Sequence, residues 1–265
     1  MNRSARRPPL KRFLLLAAAL AMGGCTFLQG SRLLAPETAG FSKVSTNLYV
    51  EAGSDETIRN ALAVAMTTAE HAIGAAYGNV TSRPVVHACV TEACYAHLSA
   101  PGPRARIYYG HLILLSPRGL NWHYIAHEWS HAEMFARLKI TAWWWKLPQW
   151  FDEGVAVAVS ESPEHSESHW EFLEQSGIPR PTRAELHTLR TMTQWDDAVG
   201  RYGEKQNLQR RSTGETEIRP VYTAAGREVR SWLTTAGHTG LLTLIEQLNG
   251  AEDFAEAYHQ AGGTP

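Results

Sequence analysis

The run His127-Glu128-Trp129-Ser130-His131 places two histidines four positions apart, with a carboxylate directly after the first. On an α-helix, residues at i and i+4 are about 40° apart around the axis, so both imidazoles can reach one metal ion. Apolar residues lie roughly opposite, which lets the helix pack one face while the other borders a cleft. These residues are Ile125, Trp129, Ala132 and Ala136. We therefore predict a helix over residues 121–138 with a metal site on its open face.

A second run, Trp150-Phe151-Asp152-Glu153-Gly154, begins the next predicted helix and offers further carboxylates. Glu153 can supply a third ligand beside His127 and His131. Two imidazoles and one carboxylate leave the fourth position of a tetrahedral zinc ion open to water, which is the arrangement of catalytic zinc sites. We therefore expect one zinc ion (Zn²⁺) per chain. The alternative is that both histidines are satisfied inside an ordinary core.

Together, His127, Glu128, His131 and Glu153 resemble the motif of the gluzincin metallopeptidases. In that family the zinc helix carries His-Glu-x-x-His, and the next helix carries a ligand Glu that is often followed by Gly. The resemblance implies that the two histidines and Glu153 bind zinc and that Glu128 is the general base. It also implies a zincin-like fold, in which the aliphatic run Leu112–Leu115 is the edge strand that lines the substrate cleft.

The C-terminal part is similar to the closing helices of peptidase MA-like domains over residues 222–226, at Gly240 and over residues 254–257. A tyrosine near the start of those helices faces the zinc ion. The resemblance therefore implies that Tyr222 donates a hydrogen bond to the developing oxyanion, with packing as the alternative role. Nothing before the zinc helix matches the Gly-x-Met-Glu-Asn motif of the M1 aminopeptidases, so an endopeptidase is expected.

The N-terminus has the pattern of an export signal. A basic stretch up to Arg12 is followed by the apolar run Phe13–Met22, which is too short for a permanent membrane span, and then by Gly23-Gly24-Cys25. Small residues directly before a cysteine resemble a bacterial lipobox, which implies cleavage after residue 24 and a lipid on Cys25. Thr26 follows the cysteine, so the outer membrane is favoured by resemblance to enterobacterial sorting. The alternative is an ordinary N-terminal anchor helix.

Two cysteines remain once Cys25 is assigned to a lipid. Cys89 and Cys94 are close in sequence, and in an oxidising periplasm they can form a disulfide that closes a small loop. Two partly buried free thiols are the alternative. A metal pair is less favoured because no further cysteine exists to complete such a site.

The pattern of the chain indicates an α+β fold of one catalytic domain. We expect a signal peptide over residues 1–24, a tether over 25–47 and the domain over 48–265, with the sheet and zinc helix in 48–138 and a helical subdomain in 139–265. Strands are predicted at 84–90 and 107–116, with a loop at 100–103. Helices are predicted at 55–77, 121–138, 149–160, 166–175, 182–192, 221–235, 240–248 and 251–261. Asp55 or Ser54 and the capping box of Thr182 with Glu185 begin two of them.

Charge and tryptophan content narrow the possible partners. The formal net charge is −1, but five of the 25 basic residues lie in the leader, so the rest of the chain carries 20 basic and 26 acidic residues. An acidic body is a poor nucleic-acid binder, and no such partner is expected. All nine tryptophans lie at or after Trp122, including Trp143-Trp144-Trp145. Core packing and contact with a membrane interface are the two interpretations of that run.

Several polar residues near the motif have more than one interpretation. His123 lies one turn before His127, but the ligand set is complete without it, so an ordinary structural role is favoured over a role at the cleft rim or behind a ligand. Asp152 either orients a ligand histidine or faces solvent as a cap. Arg104 and Arg106 either meet substrate or are solvated. The remaining scattered histidines are expected on the surface, namely His165, His169, His187, His238 and His259.

The sequence therefore predicts a zinc-dependent endopeptidase, lipid-anchored to the bacterial membrane with its domain in the periplasm, that acts on peptides or proteins of the cell envelope. A scaffold or binding lipoprotein that has lost turnover is one alternative. A zinc amidase that acts on a non-protein envelope substrate is the other, since the same site chemistry would serve both reactions.

Overall fold

The computed structural model describes residues 30–100 and 102–262. Five short strands form one mixed sheet, and helices make up most of the rest, so the predicted α+β class is confirmed. The strands are β1 (Phe41–Ser45), β2 (Leu48–Glu51), β3 (Val85–Ala88), β4 (Ala105–Tyr108) and β5 (Leu112–Leu115). The predicted signal peptide and lipidated Cys25 lie outside the described residues. Among the described residues, no helix combines the length and apolar character that crossing a bilayer requires.

Eleven α-helices accompany the sheet in the described part of the chain. The first six are α1 (Glu56–Tyr77), α2 (Glu92–Leu98), α3 (Trp122–Arg137), α4 (Ile140–Trp145), α5 (Gln149–Ser160) and α6 (Glu167–Gln175). The others are α7 (Arg183–His187), α8 (Met192–Arg201), α9 (Asn207–Ser212), α10 (Pro220–Asn249) and α11 (Phe254–Gln260). Asp55 caps α1 by accepting a hydrogen bond from the backbone N–H of Thr57 at 2.7 Å, as its position predicts.

The sheet has the order β1-β2-β3-β5-β4, with antiparallel pairs at both edges and parallel pairs between β2, β3 and β5. The expectation that Leu112–Leu115 forms the edge strand is wrong, because β5 lies inside the sheet and all four of its residues are buried. The edge strands are β1, which pairs only with β2, and β4, which pairs only with β5. The single strand predicted over 107–116 is a hairpin, turned at Tyr109 and Gly110, which both take positive φ.

The sheet is covered on both faces, which explains why its central strands carry continuous apolar residues. Ile113 and Leu115 face the main core with α1 and α3, whereas Leu112 and Leu114 face a smaller core on the other side. The smaller core also contains Leu33 and Phe41. The predicted tether over 25–47 is therefore too long. Residues 41–45 form β1, and Leu33 and Phe41 are buried in the smaller core. The disulfide between Cys89 and Cys94 is confirmed, and it links the end of β3 to α2.

In the helical half, two predicted boundaries are wrong. The helix expected over 182–192 ends at His187, although the capping box of Thr182 with Glu185 is present. A second capping box, formed by Thr191 and Gln194, begins α8, which the sequence analysis missed. The helices expected over 221–235 and 240–248 are both within α10, which is broken at Gly237, where φ is +62°.

A fully buried carboxylate fixes α3 against the segment that leads into β3. Glu133 accepts hydrogen bonds from the backbone N–H and the hydroxyl of both Thr81 and Ser82, and the guanidinium of Arg137 binds the same carboxylate at 2.8 Å. The indole of Trp129 donates to the Ser82 hydroxyl at 3.0 Å. Burial alone would raise the pKa of Glu133, but these hydrogen bonds outweigh it and lower the pKa below 4.5.

We expect Glu133→Ala to lower the free energy of unfolding by about 3–5 kcal/mol, because four donors and Arg137 lose a buried partner. The matched control is Glu70→Ala, which removes an exposed ion pair with Arg83 and should cost less than about 1 kcal/mol.

Because the folded pKa is depressed, the contribution of Glu133 is present above pH 4.5 and is lost as the pH falls further. Urea unfolding at several pH values measures both effects, and equal losses in the two variants would contradict the argument.

Candidate metal centre

Helix α3 presents both motif histidines on its open face. The helix begins after Asn121, whose side chain accepts a hydrogen bond from the backbone N–H of His123 at 3.0 Å. Ile125, Trp129 and Ala132 are buried on the opposite face, as the spacing predicts, whereas Ala136 at the end of the helix is exposed. The rings of His127 and His131 lie 5.0 Å apart between centroids. Both side chains lie on the same face of the helix because the two residues are four positions apart.

Helix α5 brings Glu153 to these histidines. Its Oε2 atom lies 3.4 Å from Nε2 of His127 and 3.6 Å from Nε2 of His131. One ligand atom from each of the three residues falls within 4.8 Å of the other two, and no other such group occurs in residues 30–100 and 102–262. The predicted triad is therefore assembled in the structure, and it can hold a metal ion.

The spacing of the triad fits a small tetrahedral ion. Ligand bonds of about 2.0–2.1 Å in a tetrahedron place neighbouring ligand atoms roughly 3.3 Å apart, close to the two distances from Glu153. Oε2 of Glu153 is buried and makes no hydrogen bond within the described residues. A buried carboxylate oxygen without a partner is costly, and a bound cation would provide that partner.

Two side chains of α5 hold the ligands in place. The carboxylate of Asp152 lies 2.9 Å from Nδ1 of His131, which fixes the ring and keeps the proton on Nδ1, so that Nε2 is free to bind a metal ion. Gln149 donates to Oε1 of Glu153 at 2.9 Å and leaves Oε2 for the ion. Of the two interpretations of Asp152, the structure supports the orienting one, because the residue is buried and contacts His131.

The electrostatics of the cluster favour a cation. Burial alone would lower the pKa of His131, but the carboxylates of Asp152 and Glu153 outweigh it and raise the pKa well above its usual value. Burial would raise the pKa of Glu153, yet the neighbouring His131 and His127 lower it instead. The carboxylates thus stabilise positive charge at Nε2 of His131, and a metal ion bound there would replace a proton.

Glu128 borders the triad and has a free carboxylate. It makes no hydrogen bond or ion pair with any described residue, in contrast to Asp152 and Glu153. Burial raises the pKa of Glu128 above 4.5. An unengaged carboxylate with a raised pKa is suited to accept a proton near neutral pH.

Tyr222 lies at the start of α10, with its ring centroid 6.3 Å from that of His127. Trp195 of α8 packs edge-on against the Tyr222 ring at 5.0 Å. Burial raises the pKa of Tyr222 well above 10, so its hydroxyl stays protonated and able to donate. The structure thus places Tyr222 beside the triad.

His165 is the clearest residue that the sequence analysis missed. Its predicted surface position is wrong, since the ring is buried and stacks on Tyr222 at 5.5 Å, with His127 6.5 Å away. It lies in a short 3₁₀ turn, Pro163–His165, that returns the chain to the site after α5. An isolated histidine in a loop has no periodicity, so no pattern in the sequence could place it.

The other flagged side chains serve structural contacts. His123 bonds the carbonyl of Ser160 through Nδ1 at 2.7 Å and is not part of the triad. His169 and His187 are half-buried, so the predicted surface position is wrong for both, whereas His238 and His259 are exposed as predicted. Arg104 is neither solvated nor isolated, because it pairs with Glu164 at 2.6 Å and Glu217 at 3.3 Å. Arg106 is half-buried on β4.

A buried carboxylate supports the helix that carries Tyr222. Glu204, which the sequence analysis did not single out, accepts a hydrogen bond from the backbone N–H of Val221 at 2.6 Å, in the first turn of α10. Burial raises the pKa of Glu204 to about 7. Glu204 thus satisfies one of the N–H groups that the start of α10 leaves without an intrahelical partner.

Comparisons of this chain with protein families, with curated proteins and with solved structures found no match.

We expect Asp152→Asn to weaken binding of a divalent metal ion by about 10- to 100-fold. The amide would donate to Nδ1 of His131 and so favour the tautomer that is protonated at Nε2, which cannot ligate. Competition with a chromogenic chelator measures the affinity. Glu161→Gln is the matched control, an exposed acid at the end of the same helix, and its affinity should be that of the parent. An unchanged affinity in Asp152→Asn would contradict the assigned role.

Proposed function

We propose that the protein is a zinc-dependent metallopeptidase, an endopeptidase that hydrolyses peptide bonds in proteins of the bacterial cell envelope. The observation that carries this proposal is the tetrahedral spacing of His127, His131 and Glu153 beside the unengaged carboxylate of Glu128. We also propose a zincin-like fold, which the α+β architecture and the antiparallel edge strand β4 support. We further propose that the protein is exported and carries a lipid on Cys25.

The donor set supports zinc among the common metal ions. Two neutral imidazoles and one carboxylate suit a borderline ion that accepts four ligands, whereas magnesium and calcium prefer sites made of oxygen atoms. When bound with three protein ligands, zinc lowers the pKa of a coordinated water and polarises the scissile carbonyl group.

The residues of the chain would divide the remaining work. Glu128 accepts a proton from the attacking water and later passes it to the leaving amine. The protonated hydroxyl of Tyr222 donates a hydrogen bond to the developing oxyanion. Asp152 and Gln149 keep the ligands oriented throughout, so that the donor atoms need not rearrange during the reaction.

An extended peptide has a natural binding position along β4. This strand pairs only with β5, so its outer edge has backbone groups that can hydrogen-bond to another strand. Helix α3, which carries His127 and His131, packs against β4 and supports this position for the substrate. Main-chain pairing of this kind binds substrates with little dependence on their side chains, as an endopeptidase requires.

We expect Glu128→Gln to retain about one zinc ion per chain and to lose at least about 100-fold in hydrolysis, because it removes the base and leaves the ligands intact. His131→Ala and Glu153→Ala should lose both zinc and activity. The measurements are metal content and cleavage of casein or a pool of quenched peptides. An active Glu128→Gln variant would refute the mechanism, and zinc without cleavage of any peptide would favour a scaffold or a non-peptide amidase.

For Tyr222→Phe we expect a fall in kcat of about 100-fold with zinc content unchanged, because only the oxyanion donor is removed. Tyr202→Phe is the matched control, since its hydroxyl bonds the exposed Glu185 at 3.2 Å, away from the triad. If Tyr222 is a packing residue, the loss of its hydroxyl leaves kcat at the value of the parent.

A further inference from the structure

Helix α4 exposes an unusual amount of aromatic surface. Trp144 and Trp145 are 68% and 83% exposed, and Ile140, one turn before Trp144, is 55% exposed. Trp143 alone of the three adjacent tryptophans packs inward, edge-on against Phe135 at 5.4 Å. Core packing therefore does not account for Trp144 and Trp145. Two neighbouring indoles open to solvent mark a surface that meets another apolar phase.

The described part of the chain begins on the same side of the molecule. The backbone of Gly30 lies against the ring of Tyr109, such that a Cβ atom at position 30 would be 2.9 Å from that ring. The next residue, Gly110, lies against the ring of Phe135 in the same manner, at 2.6 Å. Phe135 in turn contacts Trp143. A continuous row of contacts thus leads from Gly30 to α4.

Five of the eight large hydrophobic residues that are exposed in the described part of the chain belong to the segments that these contacts join. They are Leu34, Tyr109, Ile140, Trp144 and Trp145. We name these five residues the docking face. The other three are Val64, Met192 and Leu208, and they lie in α1, at the start of α8 and in α9.

The position of Cys25 limits how far this face can be from a membrane. Four residues lie between Cys25 and Gly30, and each of the five steps from one residue to the next spans at most about 3.6 Å in an extended chain, so the link reaches no further than roughly 18 Å. This step rests on the proposed lipid at Cys25. A lipid attached there would hold the docking face against the bilayer surface, whereas a long tether would have left the domain free to turn.

We propose that the docking face binds the surface of a lipid bilayer, with the indoles of Trp144 and Trp145 inserted at the interface between headgroups and acyl chains. Tryptophan is the residue that favours this region, since its ring is apolar and its N–H remains near water. The partner is a phospholipid membrane, and the contact adds to the proposed lipid anchor. One acyl chain alone gives only marginal membrane binding, so a second contact makes attachment firm.

Binding of the docking face to a bilayer depends on apolar contacts and not on charge. Lys139 and Lys146 flank α4, but the ammonium group of Lys139 donates to the carbonyl of Asn249 at 2.9 Å, and that of Lys146 donates to those of Leu248 and Gly250 at 3.0 and 2.7 Å. Both charges are therefore used to cap the end of α10. Binding should depend little on salt and should occur on zwitterionic vesicles as well as on anionic ones.

The test uses residues 26–265, which contain every described residue and lack the leader and the lipid. Vesicles of phosphatidylcholine, and others of phosphatidylethanolamine with phosphatidylglycerol, are titrated against the parent chain and Trp144→Ala/Trp145→Ala. We expect the partition coefficient from co-sedimentation to fall at least about tenfold in the double variant. Brominated acyl chains should quench the fluorescence of the parent and not of the variant. Met192→Ala/Leu208→Ala, which removes exposed apolar residues outside the face, should bind like the parent.

Three results would overturn the proposal. They are no binding of the parent at any lipid concentration, equal binding of the parent and the tryptophan variant, or a dimer in sedimentation velocity that the variant abolishes while vesicles bind neither. The last result would assign the face to a second copy of the chain. Because the substituted side chains are exposed, the thermal unfolding of the variant should match that of the parent, which confirms that folding is intact.

A second arm separates this proposal from the proposed anchor. The full chain and Cys25→Ser are produced in a bacterial host with labelled palmitate, and incorporation into the protein is measured. If Cys25 takes no label but the lipid-free chain binds vesicles through its tryptophans, the docking face stands and the anchor fails. If Cys25 is labelled and the tryptophan variant binds vesicles like the parent, the docking face fails and the anchor stands. Cleavage of soluble peptides tests the peptidase independently of both.

Discussion

The metal centre depends on how closely α5 and α10 approach each other. A Cβ atom at Gly154 would lie 2.8 Å from the carbonyl oxygen of Ala225, and one at Gly226 would collide with the side chain of Val157. Two glycines therefore permit a crossing that any side chain would widen. Glu153 directly precedes Gly154, and Tyr222 lies one turn before Gly226. The crossing thus sets the third ligand and the tyrosine on neighbouring sides of His127.

A second constraint is the presence of buried carboxylates beside the histidines of the triad. Asp152 and Glu153 are both buried beside His131, and the positive charge of the neighbouring histidines lowers the pKa of Glu153. A metal ion would supply this charge without requiring a protonated histidine. Metal binding would then be coupled to stability, because an ion that binds the folded triad and not the unfolded chain favours folding.

What could be predicted from the sequence follows from local spacing. The i, i+4 histidines, the apolar stripe of α3 and the capping boxes each act within one or two helical turns, so a linear pattern records them. Strands β1 and β2 were missed because they form a hairpin whose link to the rest of the sheet is the pairing of β2 with the distant β3, which a local pattern does not record. The edge strand was misplaced although the pattern held a signal. The continuous apolar run Leu112–Leu115 is typical of a strand buried on both faces, whereas the charged Arg106 is typical of an edge. His165 reaches the site through a turn whose path depends on tertiary packing, and no local pattern describes that.

Helix α4 connects the two parts of the molecule that matter for function. It follows α3, which carries His127 and His131, and it precedes α5, which carries Glu153. Lys139 and Lys146 bind both of its ends to the C-terminal carbonyls of α10, the helix whose first turn holds Tyr222. Helix α4 is therefore held by hydrogen bonds to the end of α10 and by the chain to α3 and α5. Membrane docking at this position would fix the orientation of the domain relative to the bilayer. Substrates would then be selected by their distance from the membrane, in addition to their fit along β4.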